Sequence, residues 1–378
     1  MKFRINAEIF ASYINLVSRV VSAKANLPIL SNILLDVEKD KVRFTGTDLE
    51  VQISAFTPLS AQDEGRTSIN AKLFSQYINT IPKEESIEVE LDKTLLKVTS
   101  QAGSASFSTK EADEFPMFEE SDLEVLFEIP KDTFATMIEK TIFACAKEDI
   151  RPILTGVNIE AEGNYVTLVA LDTFRLSKIS VPVKNQILEK KQVVISSFAL
   201  ENVNRIINDS FITSTAEKDD VVFKMSKAGN FVVIQYGDVS IFARLIEGEF
   251  PEYKQAIPAA HQSEITIDKA KLIESLKRVG VFAQAAVSQK VIMNFDENKL
   301  TMEAVVPEIG NVKEELPAKI DGTPIKIAFQ LKFLMDIVSH IEDDKIIFRA
   351  INKNAAGVFV QQSLETFLHL MMPLKLDD

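Results

Sequence analysis

The chain of 378 residues has one cysteine, Cys145, and only 12 glycines. A single thiol excludes an internal disulfide and a cysteine-built metal centre, and it suits a reducing compartment. Cys145 follows the apolar run Ile142-Phe143-Ala144 and reads as a small buried hydrophobe. The three histidines, His261, His340 and His369, are scattered without metal-ligand spacing. No phosphate loop of the GxxxxGKS/T type, no convincing GxGxxG turn and no GxSxG nucleophile elbow occurs. No apolar run approaches the ~18 residues that cross a bilayer. The first residues, Met1-Lys2-Phe3-Arg4-Ile5-Asn6-Ala7-Glu8, alternate like a strand and lack a signal-peptide apolar segment. The expectation is a cytoplasmic protein with no catalytic residue, no metal, no cofactor and no membrane attachment.

What is present is a folded composition, 46% hydrophobic and 26% charged, long enough for two or three domains. The strongest feature is an internal repeat at a constant offset of 124 residues. Phe3 matches Phe127, Phe10-Ala11 matches Phe134-Ala135, and Ile14 matches Ile138. Leu27-Pro28-Ile29-Leu30-Ser31 matches Arg151-Pro152-Ile153-Leu154-Thr155, and Asp48 matches Asp172, with no gap. A third, weaker copy places Ile265, Leu272, Leu276 and Val279 after Phe127, Phe134, Ile138 and Thr141, but without the Pro-Ile-Leu signature. Three domains follow: 1–125, 126–253 and 254–378.

Each copy divides into two halves, a short strand, an amphipathic helix, then two or three strands. Apolar residues at helical spacing predict helices over 7–20, 72–81, 131–144, 198–208, 269–280 and 330–340, with Asn6 and Asp268 as N-caps. Alternating runs on either side of Asp92-Lys93-Thr94 and of Gly229-Asn230 predict hairpins, and Lys345–Phe348 with Val358–Val360 repeats the pattern. The fold class is α+β, three similar domains built of doubled helix-plus-antiparallel-strand units. Asp48 and Asp172 are equivalent, in Thr45-Gly46-Thr47-Asp48 and Ala170-Leu171-Asp172-Thr173. They read as turn residues at strand ends rather than as a catalytic pair, since they belong to separate copies.

The net charge of -13 runs against the basic footprint usual for nucleic-acid binding. The six helical windows, however, sum to about +4, leaving about -17 elsewhere. Helices sharing one surface would tolerate an anionic polymer there, with repulsion outside. Ordinary mixed-charge helix surfaces give the same tally. So small a positive sum implies retention by topology rather than by phosphate contacts.

At this point several segments together resemble the β subunit of bacterial DNA polymerase III, the sliding clamp, over the whole chain. They are Leu27-Pro28-Ile29-Leu30-Ser31-Asn32, Thr45-Gly46-Thr47-Asp48-Leu49-Glu50, Asp172-Thr173-Phe174-Arg175-Leu176, Gly248-Glu249-Phe250-Pro251-Glu252-Tyr253 and Met372-Pro373-Leu374-Lys375-Leu376. The resemblance implies a head-to-tail homodimer, a six-domain ring with helices lining the hole and sheets outside. It implies duplex DNA as a sequence-independent partner, with Lys24 and Lys72 at DNA-contacting positions. The basic helical residues Arg205, Lys277 and Arg278 join them as candidates. It places the dimer contact at Phe107 on one side and Val281 with Phe282 on the other. It also implies an apolar cleft for short motifs of the polymerase III α subunit, the clamp loader and other partners. The matching positions are Leu154, Leu171, Phe174, Arg175, Leu176, Pro251, Ala256, Gln330, Phe333, Met372, Pro373 and Leu374.

The sequence departs from the family at several places. Many members have His where Phe174 stands and Thr where Leu171 stands, implying a greasier cleft here. Many end at the leucine matching Leu376, whereas the acidic Asp377-Asp378 follow. Glu148 replaces an uncharged residue in a loop expected near DNA. Two rival readings remain at this stage: a three-domain enzyme holding a small molecule, and a multidomain protein-interaction scaffold that does not bind DNA.

Overall fold

The computed structural model describes every residue except 23–26, 119–121, 149, 217 and 377–378. Lys24 and the Asp377-Asp378 tail therefore lie outside the described residues. The chain forms two compact units: Met1–Ala135 with Val183–Ile187 and Phe198–Leu245, and Thr136–Pro182 with Leu188–Ser197 and Ile246–Asp378.

The first unit is built on an antiparallel sheet that contains both halves of the first copy. Strand Lys2–Asn6 leads into helix Ala7–Ser18, and strand Gly65–Asn70 leads into helix Ala71–Ile78. Each helix starts where an asparagine side chain accepts from the first-turn amides: Asn6 from Glu8 and Ile9, Asn70 from Leu73. Such caps stabilise a helix by about 1 kcal/mol. The two helices meet through Phe10 and Phe74, edge to face at 5.8 Å, and through reciprocal amide bonds between Asn15 and Asn79. Phe10 also packs on Phe3 and Phe44, and Tyr13 stacks on Phe44 at 5.3 Å. Full burial of each such ring contributes about 2–3 kcal/mol.

The same unit joins the first and second copies by strand pairing. Val239–Arg244 runs antiparallel to Val51–Pro58, with Ala243 opposite Val51. The expected hairpins are present. Ser86–Asp92 pairs with Leu95–Thr99 around a turn in which Lys93 takes φ 53°, and Asp220–Ser226 pairs with Phe231–Tyr236 around Gly229 at φ 69°.

The second unit carries its own antiparallel sheet. Strand Ser263–Asp268 enters helix Lys269–Ala283, capped by Asp268 on the Lys271 amide. Strand Ile325–Gln330 enters helix Leu331–His340. The helices touch at Gly280, where an added Cβ would lie 3.2 Å from Leu331. Here too two copies are joined by strands: Arg175 pairs with Met371 and Leu176 with Leu370.

The repeat is visible in hydrogen bonds. Asp48 Oδ1 accepts from the Glu50 and Val51 amides, and Asp172 Oδ1 accepts from Phe174 and Arg175. Ser31 and Thr155 each donate a hydroxyl to the carbonyl of the proline three residues before. Both aspartates are thus turn residues, as expected. In the third copy Ile265, Leu272, Leu276 and Val279 are fully buried, like their counterparts in the second.

Three predicted helix ends need correction, and one helix was unforeseen; the helix predicted over 72–81 is Ala71–Ile78, three residues short at its end. The predicted helix 131–144 ends at Glu139, and Ile142–Ala144 is a separate short 3-10 turn. Thr141 explains the break, because its hydroxyl donates back to the Met137 carbonyl and its φ of -121° leaves the helical region. Helix Lys269–Ala283 runs three residues past its predicted end. A short helix, Ser210–Thr215, was not anticipated, although Asp209 caps it.

Candidate partner cleft and DNA-facing residues

All twelve residues of the expected cleft lie in the second unit. Its base is a buried cluster containing Leu154 and Leu176 with Val169, Val194, Phe250 and Leu370, against which Leu171 packs half-buried. The turn held by Asp172 sets Phe174 outside, 54% exposed, while Arg175 turns in and is 6% exposed. Phe174 lies in the turn, whereas Arg175 opens the strand Arg175–Ser196, whose first three residues are all buried. Pairing with strand Arg175–Ser196 buries Met371 completely and leaves Met372 45% exposed. The methionine pair thus divides into one core residue and one surface residue.

The end of the chain is pinned across this surface. The Met372 amide donates to the Phe174 carbonyl at 2.8 Å, and the Leu374 amide donates to Ala328 at 2.8 Å. Pro373 and Leu374 are half-buried, as are Gln330, Phe333 and Pro251, while Ala256 is exposed. Phe333 faces Phe174 with ring centroids 6.2 Å apart. The Arg175 guanidinium lies 4.4 Å from the Phe333 ring centroid and pairs with Asp172 and Asp336. Arg175 therefore braces this surface from within, tying the turn at Asp172 to Asp336 on the helix Leu331–His340.

Behind Arg175 lies a buried polar group that sequence reasoning missed. Phe143 stacks on His340 at 4.1 Å and on His369 at 5.2 Å. Lys140, 2% exposed, bonds to the His340 carbonyl and Gln361 and pairs with Glu342. It therefore does not belong to the surface charge of its helical window. Ser177 Oγ lies 2.6 Å from His369 Nδ1. Burial, then the charges of Arg175 and His340, hold His369 well below the usual histidine range, so it is neutral at neutral pH.

A pH effect follows. The unfolded chain takes up a proton at His369 as pH falls through about 6.5, and the folded chain does not. The stability this histidine permits is complete above that pH and declines below it. Urea unfolding at pH 7.5, 6 and 5 is expected to show His369→Gln losing less stability on acidification than the unaltered protein, by up to about 1.4 kcal/mol per pH unit. Parallel losses in the two proteins would contradict the assignment.

The candidate DNA-facing residues divide differently. Lys72, Arg205 and Lys277 are exposed on helices Ala71–Ile78, Ser197–Ile207 and Lys269–Ala283. Arg278 is exposed, but its guanidinium donates to Glu314 at 2.7 Å, which raises the Arg278 pKa and lowers that of Glu314. Its charge is thereby partly spent within the chain. Glu148 is exposed. At the candidate dimer contact, Val281 is 71% exposed and Phe282 half-buried, whereas Phe107 is buried against Phe74 and Tyr77.

Doubled helix-and-strand copies joined by antiparallel strand pairing define a DNA clamp fold. The family descriptions of the DNA polymerase III beta subunit match in order: the N-terminal domain over residues 1–119, the central domain over 128–252 and the C-terminal domain over 254–375. The chain therefore belongs to the DNA polymerase III beta subunit family, whose members are sliding clamps. It is 26% identical over 391 residues to the beta sliding clamp of Halalkalibacterium halodurans, covering 99% of this chain and all of the relative. It is 24% identical over 384 residues to that of Staphylococcus aureus, covering 99% of each. The crystal structure of the Thermotoga maritima DNA polymerase III beta subunit is similar with a TM-score of 0.91 at 26% identity, over 100% of both chains. That of the Pseudomonas aeruginosa subunit gives 0.92 at 24% identity, again over 100% of both. Among the described residues no helix is long and apolar enough to cross a membrane.

Proposed function

We propose that this chain, with domains at 1–125, 126–253 and 254–378, pairs head to tail with a second copy. Together they form a ring around duplex DNA that tethers the polymerase III α subunit, the clamp loader and other partners in the cytoplasm. It performs no chemistry and needs no cofactor. The observation that carries the partner reading is the exposed apolar pair Phe174 and Met372, set over a buried leucine base and braced by Arg175. Methionine and aromatic surfaces adapt to several peptide sequences.

Two open sheet edges support the dimer. Among the described residues, 104–108 of strand Ser104–Lys110 pair only with Leu95–Thr99. Over 310–317, strand Gly310–Gly322 pairs only with Lys299–Val306. Beside the second edge stand Val281, Val305 and Ile309, all exposed, and Phe282 lies against Gly310. An edge strand with apolar neighbours is a template for another chain. On this reading Phe107 shapes the first edge from beneath rather than meeting the partner. Lys72, Arg205 and Lys277 provide a few weak phosphate contacts without base readout, which suits sliding. Arg278 contributes less because of Glu314, and Lys24 is carried over from the family alone.

Met372→Glu tests the cleft. A charge on the apolar surface is expected to weaken binding of a polymerase-derived motif peptide at least a hundredfold. The variant should still sediment near 84 kDa, twice the 42.2 kDa chain. Unchanged peptide affinity, or a monomeric variant, would count against the assignment.

A further inference from the structure

The junction between the first two copies contains a cavity, built by the same repeat. In the first unit the Arg244 amide donates to the Glu50 carbonyl at 2.9 Å, as the Met372 amide donates to Phe174 in the second unit. Glu50 and Phe174 are 124 residues apart, so Arg244 holds the place of Met372. The linkers repeat as well: Glu114-Phe115-Pro116-Met117-Phe118 matches Glu249-Phe250-Pro251-Glu252-Tyr253. Phe115 is buried in a cluster with Ile29, and Phe250 in one with Ile153, their 124-residue equivalents. This places Met117, Phe118 and Phe231 around a cavity of about 370 Å³ edged by Leu49, Lys227 and Arg244.

The cavity differs chemically from its counterpart. Arg244 Nε donates to the Leu49 carbonyl at 2.8 Å, and the guanidinium lies 5.3 Å from the Phe118 ring centroid. Phe118 is itself fixed, edge to face with Phe231 at 5.3 Å and through its amide to the buried Gln52 Oε1 at 3.1 Å. The terminal nitrogens of Arg244 make no hydrogen bond among the described residues, although the side chain is held at Nε and across its face. Lys227 is paired with Asp122 at 3.3 Å. What remains is a planar positive charge with no carboxylate partner among the described residues, next to an apolar floor where Met117 is 40% exposed.

We propose that this cavity is a second peptide-binding site, for a partner segment in which a large apolar side chain stands beside a carboxylate. The guanidinium, oriented before binding, offers parallel N–H donors to the carboxylate. Met117, Phe118 and Phe231 receive the apolar side chain. The repeat thus yields two sites of different selectivity, one with methionine and one with arginine at the equivalent position. The inference stands on the first unit alone and does not require the other cleft to bind anything.

The test uses the full chain with carbon-13 in its methionine methyl groups. The probe is the capped peptide acetyl-Asp-Phe-Asp-amide, and the control is acetyl-Asn-Phe-Asn-amide. Met117 reports this cavity and Met372 reports the cleft. The Met117 signal is expected to move saturably with the acidic peptide and at least tenfold more weakly with the amide. Arg244→Gln is expected to erase that difference, and Arg244→Lys to keep part of it. Arg244 is exposed, so unshifted signals from the other methionines will show that both variants fold. A Met117 signal that stays still up to about 20 mM peptide overturns the proposal. Equal responses to the two peptides, or an undiminished response in Arg244→Gln, also overturn it. Movement at Met372 alone does so too, while leaving the reading of the other cleft intact.

Discussion

Arg175→Met is expected to lower the stability of the second unit by about 3 kcal/mol and to loosen the cleft in the same stroke. Arg175 is nearly sealed from solvent and pairs with Asp172 and Asp336. Removing one member of a buried ionic group leaves its partners charged without compensation, which costs about 3–5 kcal/mol. The lower end applies, because Asp336 keeps 30% of its side chain exposed. Asp172 retains its turn bonds to the Phe174 and Arg175 amides, so the turn persists while the brace to helix Leu331–His340 is lost. Phe333 then loses the guanidinium that lies over it, and the facing pair Phe174 and Phe333 loses its fixed spacing. Hydrogen exchange should locate the loss in helix Leu331–His340, and partner-peptide affinity should fall with it. A second change, Asp336→Asn, should recover part of the stability by removing the stranded charge. A single variant within 0.5 kcal/mol of the unaltered protein would mean that Arg175 does not brace the cleft.

The parts of this fold that were legible in the sequence are those written in local patterns. The 124-residue offset holds down to individual bonds, since Asp48 and Asp172 cap the same turn and Ser31 and Thr155 close the same short helix. Helix windows and the caps Asn6 and Asp268 came from spacing and side-chain chemistry that act over three or four residues. The burial of Cys145 followed from its apolar neighbours.

What was hidden depends on partners far apart in sequence. Arg175 meets Asp336 across 161 positions, and Lys140 meets Gln361 across 221. Nothing near Lys140 signals burial, so charge counting left it on the surface. Phe143 gathers His340 and His369, which looked unrelated along the chain. The Glu-Phe-Pro linker repeat was present in the sequence, but its spacing of 135 residues departs from the 124-residue offset. The helix Ser210–Thr215 is too short for a periodic signal, and only its Asp209 cap announced it.

The claim on which the rest depends is topological. A ring that encloses DNA stays on it because the duplex has no end to pass through, not because contacts are strong. Tethering then raises the local concentration of a bound polymerase without adding affinity for DNA. Weak contacts are also what a strongly acidic chain with few free cationic residues on its helices can supply. The deciding measurement is retention, with clamp loaded onto nicked circular DNA, separated from free protein, and followed after a single cut. The account predicts that the clamp remains on the circle through a salt wash and departs on linearisation. Equal retention on circular and linear DNA would contradict it.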